Sequence, residues 1–262
     1  MKNFVLRIAY EGSHYLGWQK TSTGPSIEES LQKTLEQILQ IPISLQAASR
    51  TDRGVHAEEQ WVNFYSDSSI DVRALHHSLN ALLCPSIRVL SIHEMPFLFH
   101  PTLHALSKEY HYHLSLGPIQ MPHERFFHWH VPQLLDLNAM SQACHHLLGT
   151  HDFSSFCNFR KNLNYKDKIC HLSKFTFTLH ENRLCFQIRG NRFLYKMVRN
   201  LVGTIVYVGI GKIPSDTVPL ILDAGKRPTA GVTAPAHGLV LKKIYYPQEF
   251  IPNPGNNVMN TG

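Results

Sequence analysis

An α+β fold of two lobes in tandem is what this 262-residue chain predicts. Segments with the strict apolar alternation of a strand interleave with segments of helical spacing. Their order, β-α-β-β-α-β, occurs in the first half and again in the second, which is the ferredoxin-like pattern. With 43% apolar residues the chain has enough material for two cores. These observations imply lobes at residues 1–105 and 106–248, related by a pseudo-twofold, with a substrate cleft between them. The halves share no local sequence identity, so the duplication rests on element order alone. Residues 249–262 are expected to be a disordered tail, since Gly255–Gly262 is polar and rich in Gly and Asn.

In the first half, Phe4, Leu6, Ile8 and Tyr10 alternate as a strand that Glu11-Gly12-Ser13 ends. Ser26, with Glu29 three residues on, forms a capping box ahead of Ile27, Leu31, Leu35 and Ile38 at helical spacing. Strands are expected at Ile43–Ser49 and Gln60–Tyr65. Asp71 can cap a second helix with Leu75, Leu79 and Leu82 as its stripe, stopped by Pro85, and Ile87–His93 reads as a strand.

In the second half, Lys108–Leu116 alternates and puts Tyr110, Tyr112, Leu114 and Leu116 on one face. Asp136 caps a helix carrying Leu137, Met140, Cys144 and Leu147, closed by Gly149. Leu172–Leu179 and Arg183–Arg189 form a hairpin around Glu181-Asn182. A helix is expected from about Arg192 to Val208, with Leu194, Met197, Val198, Leu201 and Ile205 buried. Arg192, Lys196 and Arg199 would then share its opposite, basic face. Gly203 falls near that face and would admit a close approach. Gly238–Tyr245 is the last strand.

A net charge of +6 fits an anionic partner such as nucleic acid. The five cysteines are odd in number and show no Cys-x-x-Cys, which suits reduced thiols rather than disulfides or a zinc framework. Among 18 histidines, His111/His113 and His128/His130 form His-x-His pairs whose alternate residues share a strand face. The spacing reveals no third ligand, so no metal is expected. The N-terminus lacks a signal-peptide apolar core, and the longest apolar run, Leu201–Ile210, is far short of a bilayer span. A soluble, cytoplasmic protein with no membrane segment is the expectation.

The richest chemistry lies in Ala48-Ser49-Arg50-Thr51-Asp52-Arg53-Gly54-Val55-His56-Ala57. One carboxylate stands between two arginines, with Gly54 where a tight turn needs positive φ. Neighbouring guanidiniums favour the charged form, so Asp52 is a lasting anion suited to act as nucleophile or electrostatic stabiliser. Read by itself, Thr-Asp-Arg-Gly is equally a turn whose Asp bonds its own backbone.

This segment closely resembles the catalytic loop of the A-type tRNA pseudouridine synthases, usually Gly-Arg-Thr-Asp-Ala-Gly-Val-His-Ala. The chain departs from it at Ser49 and Arg53, outside the Arg-Thr-Asp core. Further resemblances occur in the family's order. Gly12–Gln19 is similar, as is Lys108-Glu109-Tyr110-His111-Tyr112, and so is Gly149–Phe156. Tyr195-Lys196-Met197-Val198-Arg199-Asn200 with Gly203 resembles Met-Val-Arg-Asn-x-x-Gly, and Ala234–Leu239 resembles Ala-Pro-Ala-x-Gly-Leu. The resemblance covers nearly the whole chain up to Tyr246. The segment Phe99-His100-Pro101-Thr102-Leu103 departs by holding Thr102 where the family often has an Arg, and Asn162–His171 lacks the family's Arg-Thr step.

The resemblance implies a tRNA uridine isomerase acting at positions 38 to 40 of the anticodon stem-loop, with no cofactor and no metal. It implies Asp52 as the catalytic anion, attacking C1′, attacking C6, or taking a ribose proton on the way to a glycal. Arg199 would face Asp52 and pair with it, and Arg50 would fill the gap left by an extruded base. Tyr110 and Leu239 would hold the uracil between them. A homodimer with one tRNA spanning two subunits is implied as well. Two other readings stay open: a non-catalytic RNA-binding protein on the same fold, and a base-directed enzyme such as a glycosylase.

Overall fold

The computed structural model describes residues 1–67, 69–161 and 163–251. The described residues divide into two compact units, one of residues 1–106 together with 241–251, the other of Ser107–Val240.

The first unit contains β1 (Lys2–Tyr10), α1 (Ile27–Leu39), β2 (Gln46–Ala47), β3 (His56–Ser66), α2 (Val72–Leu82) and β4 (Ile87–Met95). Its strands run β4-β1-β3, with β2 on β3, the order of a ferredoxin-like sheet. All of these pairs are antiparallel, and Phe4 sits opposite Phe64 with their rings stacked 5.5 Å apart. The caps read from sequence are present. Ser26 Oγ accepts from Glu29 N, and Asp71 accepts from Arg73 N and Ala74 N. The helix stripes differ in two residues, the first being Ile38, which is only half-buried. Leu75 and Leu79 are buried, but Leu82 is exposed and Leu83, just past the helix end, takes its place in the core. The strand expected at Ile43–Ser49 shrinks to Gln46–Ala47.

The second unit contains β5 (Ser107–Leu116), β6 (Trp129–Val131), α3 (Leu137–His146), β7 (Gly149–Asp152), β8 (Ile169–His180) and β9 (Arg183–Gly190). It continues through α4 (Met197–Gly209) and α5 (Val218–Ala224) into β10 (Leu239–Tyr245), whose residues from Leu241 on belong to the first unit. Its strands run β5-β9-β8-β7, with the short β6 parallel to β5. Asp136 caps α3 through Ala139 N, and the β8–β9 hairpin turns at Glu181, φ +52°.

The helix expected from Arg192 starts five residues later. Lys196 is its N-cap and takes a left-handed conformation, φ +59°, which excludes it from the helix. Arg192, Lys196 and Arg199 therefore share no helical face. Arg192 instead bonds Asp167 O and lies 3.5 Å from the Asp167 carboxylate. The apolar stripe of α4 is buried throughout, each Leu or Ile contributing about 1.5–3 kcal/mol.

Gly203 on α4 does meet a close neighbour, the chain's own segment 231–234. A β-carbon there would lie 1.8 Å from Val232 O. Among the described residues no helix is long and apolar enough to cross a membrane. Of the tail expected at 249–262, residues 252–262 lie outside the described residues. Gln248–Phe250 forms a 3-10 turn whose Phe250 ring rests 5.1 Å from Phe99.

Candidate active site

In the first unit, the loop from Ala48 to Ala57 is fastened at several backbone positions. Gln60, pointing back from β3, donates to Ser49 O and accepts from Ser49 N, closing a two-bond clasp at the loop's entry. The clasp uses only the backbone at 49, which is why Ser serves there as well as Gly. At the centre, Thr51 is buried. Its hydroxyl bonds Tyr10 OH at 2.8 Å and its carbonyl accepts from Trp18 N at 3.0 Å. Beyond the turn, Val55 N donates to Asp52 O, and Gly54 takes φ +79° as the turn requires.

The segment Gly12–Gln19 lies against this loop, backbone to backbone. A β-carbon on Gly12 would stand 2.0 Å from Val55 O, and one on Gly17 would stand 2.7 Å from Thr51 O and 3.0 Å from Arg53 N. Gly17 is also at φ +104°, so no other residue suits it. Gly12 N donates to His56 Nδ1, and the Glu11 carboxylate stands 3.8 Å from the same nitrogen. Burial works to raise the Glu11 pKa, but hydrogen bonds from Ser13 and the nearby His56 outweigh it, and the group sits below its ordinary value. Thr102, the residue standing in for the family's Arg, donates to Ala47 O just upstream of the loop.

On this seat Asp52 is half-buried, while Arg50 and Arg53 are exposed on either side of it. Thr51 and Val55 are buried and anchor the loop, while Arg50 and Arg53 reach solvent. A carboxylate on a loop so held keeps access to a substrate from a fixed backbone, as a nucleophile or charge stabiliser needs.

The remaining three sequence-derived residues lie in the second unit. Arg199, half-buried on the first turn of α4, donates from Nε to Ala234 O, while Ala234 N donates to Arg199 O. This reciprocal pair fixes the guanidinium to segment 231–235. Tyr112 OH donates to Pro235 O in the same segment. Burial raises the Tyr112 pKa well above its ordinary value, with the Arg199 charge opposing, so the phenol is a permanent donor. Gly238 packs on the Tyr112 ring, where a β-carbon would sit 2.7 Å from Cζ. Leu239 follows directly and is buried. Tyr110 is buried two residues before Tyr112 on β5, its ring edge-on to Phe193 at 5.1 Å. Arg199 and the approach to Leu239 are thus joined through one segment.

Sequence reasoning missed the polar cluster beneath Arg199. Buried Asn200 donates to Phe156 O and Asn158 Oδ1, and its own oxygen accepts from Arg227 Nη2 and Thr233 Oγ1. Arg227 reaches Gly231 O and Asn158 as well. Burial lowers the Arg227 pKa, yet the cluster surrounds it with acceptors. Its members come from four separate stretches of chain, so no local pattern announces them. For the first-unit clasp a signal did exist: Gln60 is a polar residue opening an otherwise apolar strand run.

An α+β protein that seats one half-buried carboxylate between arginines on so fastened a loop has the makeup of an enzyme for an anionic substrate. Comparison with known proteins names the family. Its model, described as tRNA pseudouridine synthase, matches residues 7–102 and 143–247, and the chain belongs to that family. It is 52% identical over 248 residues to tRNA pseudouridine synthase A 2 of Protochlamydia amoebophila (strain UWE25), covering 94% of this chain and 95% of that one. It is 37% identical over 251 residues to tRNA pseudouridine synthase A of Francisella tularensis subsp. novicida (strain U112), covering 95% of each. Among solved structures, a Cbf5-Nop10-Gar1 complex aligns at a TM-score of 0.38 with 12% identity, over 91% of this chain and 48% of that one.

The clasp gives a direct test. Gln60→Leu keeps the volume but removes both side-chain bonds to the buried Ser49 backbone, at a cost of about 2–4 kcal/mol. Urea unfolding should show that loss, and turnover should fall although Asp52 is untouched. Wild-type stability and rate in the variant would show that the loop does not depend on Gln60.

Proposed function

We propose that the protein converts uridine to pseudouridine at positions 38 to 40 of the tRNA anticodon stem-loop, with Asp52 as the initiating anion. The observation that carries the reading is the fastened Asp52 loop in a chain of the tRNA pseudouridine synthase family. In the reaction the C1′–N1 bond breaks, the uracil turns, and C1′ joins C5. C5 gives up its proton and N1 gains one, so no atom is added or lost and no oxidant or cofactor enters.

The target base must leave the stack, at a cost of a few kcal/mol. Arg50, exposed beside Asp52, is suited to fill the gap. Tyr110 and Leu239 are assigned the two faces of the freed uracil, stacking on an aromatic ring being worth about 1–3 kcal/mol. Arg199 is the guanidinium that the resemblance sets against the carboxylate, and its bond to Ala234 O supports a fixed rather than roaming charge. The +6 net charge supports a polyanionic substrate. The chain is read as cytoplasmic, where such RNA is found.

Asp52→Asn keeps the shape and removes the anion. Single-turnover conversion should vanish while tRNA affinity changes little, and near-normal turnover would sink the assignment. In the same assay Tyr110→Phe, which keeps the ring, should bind RNA normally yet convert slowly if the hydroxyl handles the C5 proton. Full activity there would leave stacking as its sole role.

A homodimer, with one tRNA spanning two subunits, belongs to the same reading. Light scattering should give twice the 30.0 kDa chain mass. A monomer mass at working concentration contradicts it.

A further inference from the structure

The structure assigns a zinc-binding site to His111, His113 and Cys185, on the open face of the β5–β9 strand pair. The sequence offers only a His-x-His pair, and strand pairing supplies the third ligand. His111 and His113 are two apart on β5 and share a face. Register puts Cys185 of β9 directly opposite His113, so His111 is its diagonal neighbour. The three ligand atoms all lie within 4.8 Å of one another, and all three residues are half-buried.

Two imidazoles and a thiolate are the donors zinc prefers, at bonds of about 2.0–2.3 Å, which sets tetrahedral ligands about 3.5 Å apart. Closing from the present separations asks for side-chain shifts on the order of 1 Å, within the reach of χ rotations. With three protein ligands, the fourth position falls to water, as half-exposure of the site allows. A neighbouring feature is built as at zinc sites. His111 Nε2 lies 3.0 Å from Glu109 Oε1, and an outer carboxylate of this kind orients a metal-bound ring. Glu109 is itself 3.7 Å from Lys174 Nζ, which steadies it.

Cys185 at present donates weakly to Phe186 O at 3.6 Å. On metal binding its Sγ–H bond breaks, the proton goes to solvent and an Sγ–Zn bond forms, with no change of oxidation state. The site ties β5 to β9 one residue from Tyr110. It is independent of the isomerase reading, since none of its ligands is assigned a part in that chemistry.

Cobalt(II) is the probe, because a thiolate ligand gives a ligand-to-metal band in the near ultraviolet that imidazoles and water do not. Full-length, tag-free protein titrated with Co²⁺ should show that band saturating at one metal per chain. Zn²⁺ should displace the cobalt stoichiometrically and raise the melting temperature. Cys185→Ser should lose the band, and His111→Gln should weaken binding at least tenfold while keeping a folded circular dichroism spectrum. No band in the wild type, a band that survives Cys185→Ser, or saturation only at millimolar metal would each overturn the site. Should Cys185→Ser fail to fold, His111→Gln decides by the same titration, and unchanged affinity there overturns it.

Discussion

Close approach of backbone to backbone is the constraint on which the candidate-site residues of each unit depend. In the first unit Gly12 and Gly17 let one segment press onto the Asp52 loop. In the second, Gly203 and Gly231 let segment 231–234 press onto α4, where a β-carbon on Gly231 would lie 2.7 Å from Thr204 Cα. A methyl group at any of these positions would force the segments apart. Each functional stretch is held by main-chain contact rather than by side chains alone. Asp52 and Arg199, the residues proposed to carry the chemistry, each sit on a stretch held by main-chain contact.

Hydrogen bonding completes each seat in a different way. The Asp52 loop uses ties that do not connect into one network: the Gln60 clasp on Ser49, and Tyr10 and Trp18 on Thr51. Segment 231–235 instead rests on one connected cluster around Asn200 and Arg227. A connected cluster is all-or-none, since removing a member strands its buried partners. Separate ties fail one at a time. Arg227 never appears in the inferred chemistry, yet the position of Ala234, and through it of Arg199, depends on it.

The sequence made the regular elements legible where apolar period and caps agreed. Ser26, Asp71 and Asp136 all cap the helices assigned to them. It misplaced the start of α4 because residues 192–196 carry helical spacing while Lys196 adopts positive φ, which no composition rule anticipates. It missed β6, β7 and α5, which are too short for a period to register. At the site, motif resemblance picked out Asp52, Arg50, Tyr110, Arg199 and Leu239, whose roles remain proposals. Gln60 carried a weak signal and Gly17 and Asn200 lie in quoted motifs, but what these residues and Arg227 hold in place is revealed only by the geometry. Family membership, by contrast, was legible at once because several motifs recur in order.

What separates isomerisation from the other readings is the fate of the uracil after the glycosidic bond breaks. A glycosylase lets the base go, a binding protein never detaches it, and an isomerase rejoins it through C5 with loss of the C5 hydrogen. The most direct measurement is tritium release from tRNA labelled with [5-³H]uridine, with chromatography of the same reaction for free uracil. The account predicts tritium in solvent, pseudouridine in the RNA and no free uracil. Free uracil in proportion to the tritium-labelled base lost from the RNA, or no release at all with RNA bound, would contradict it.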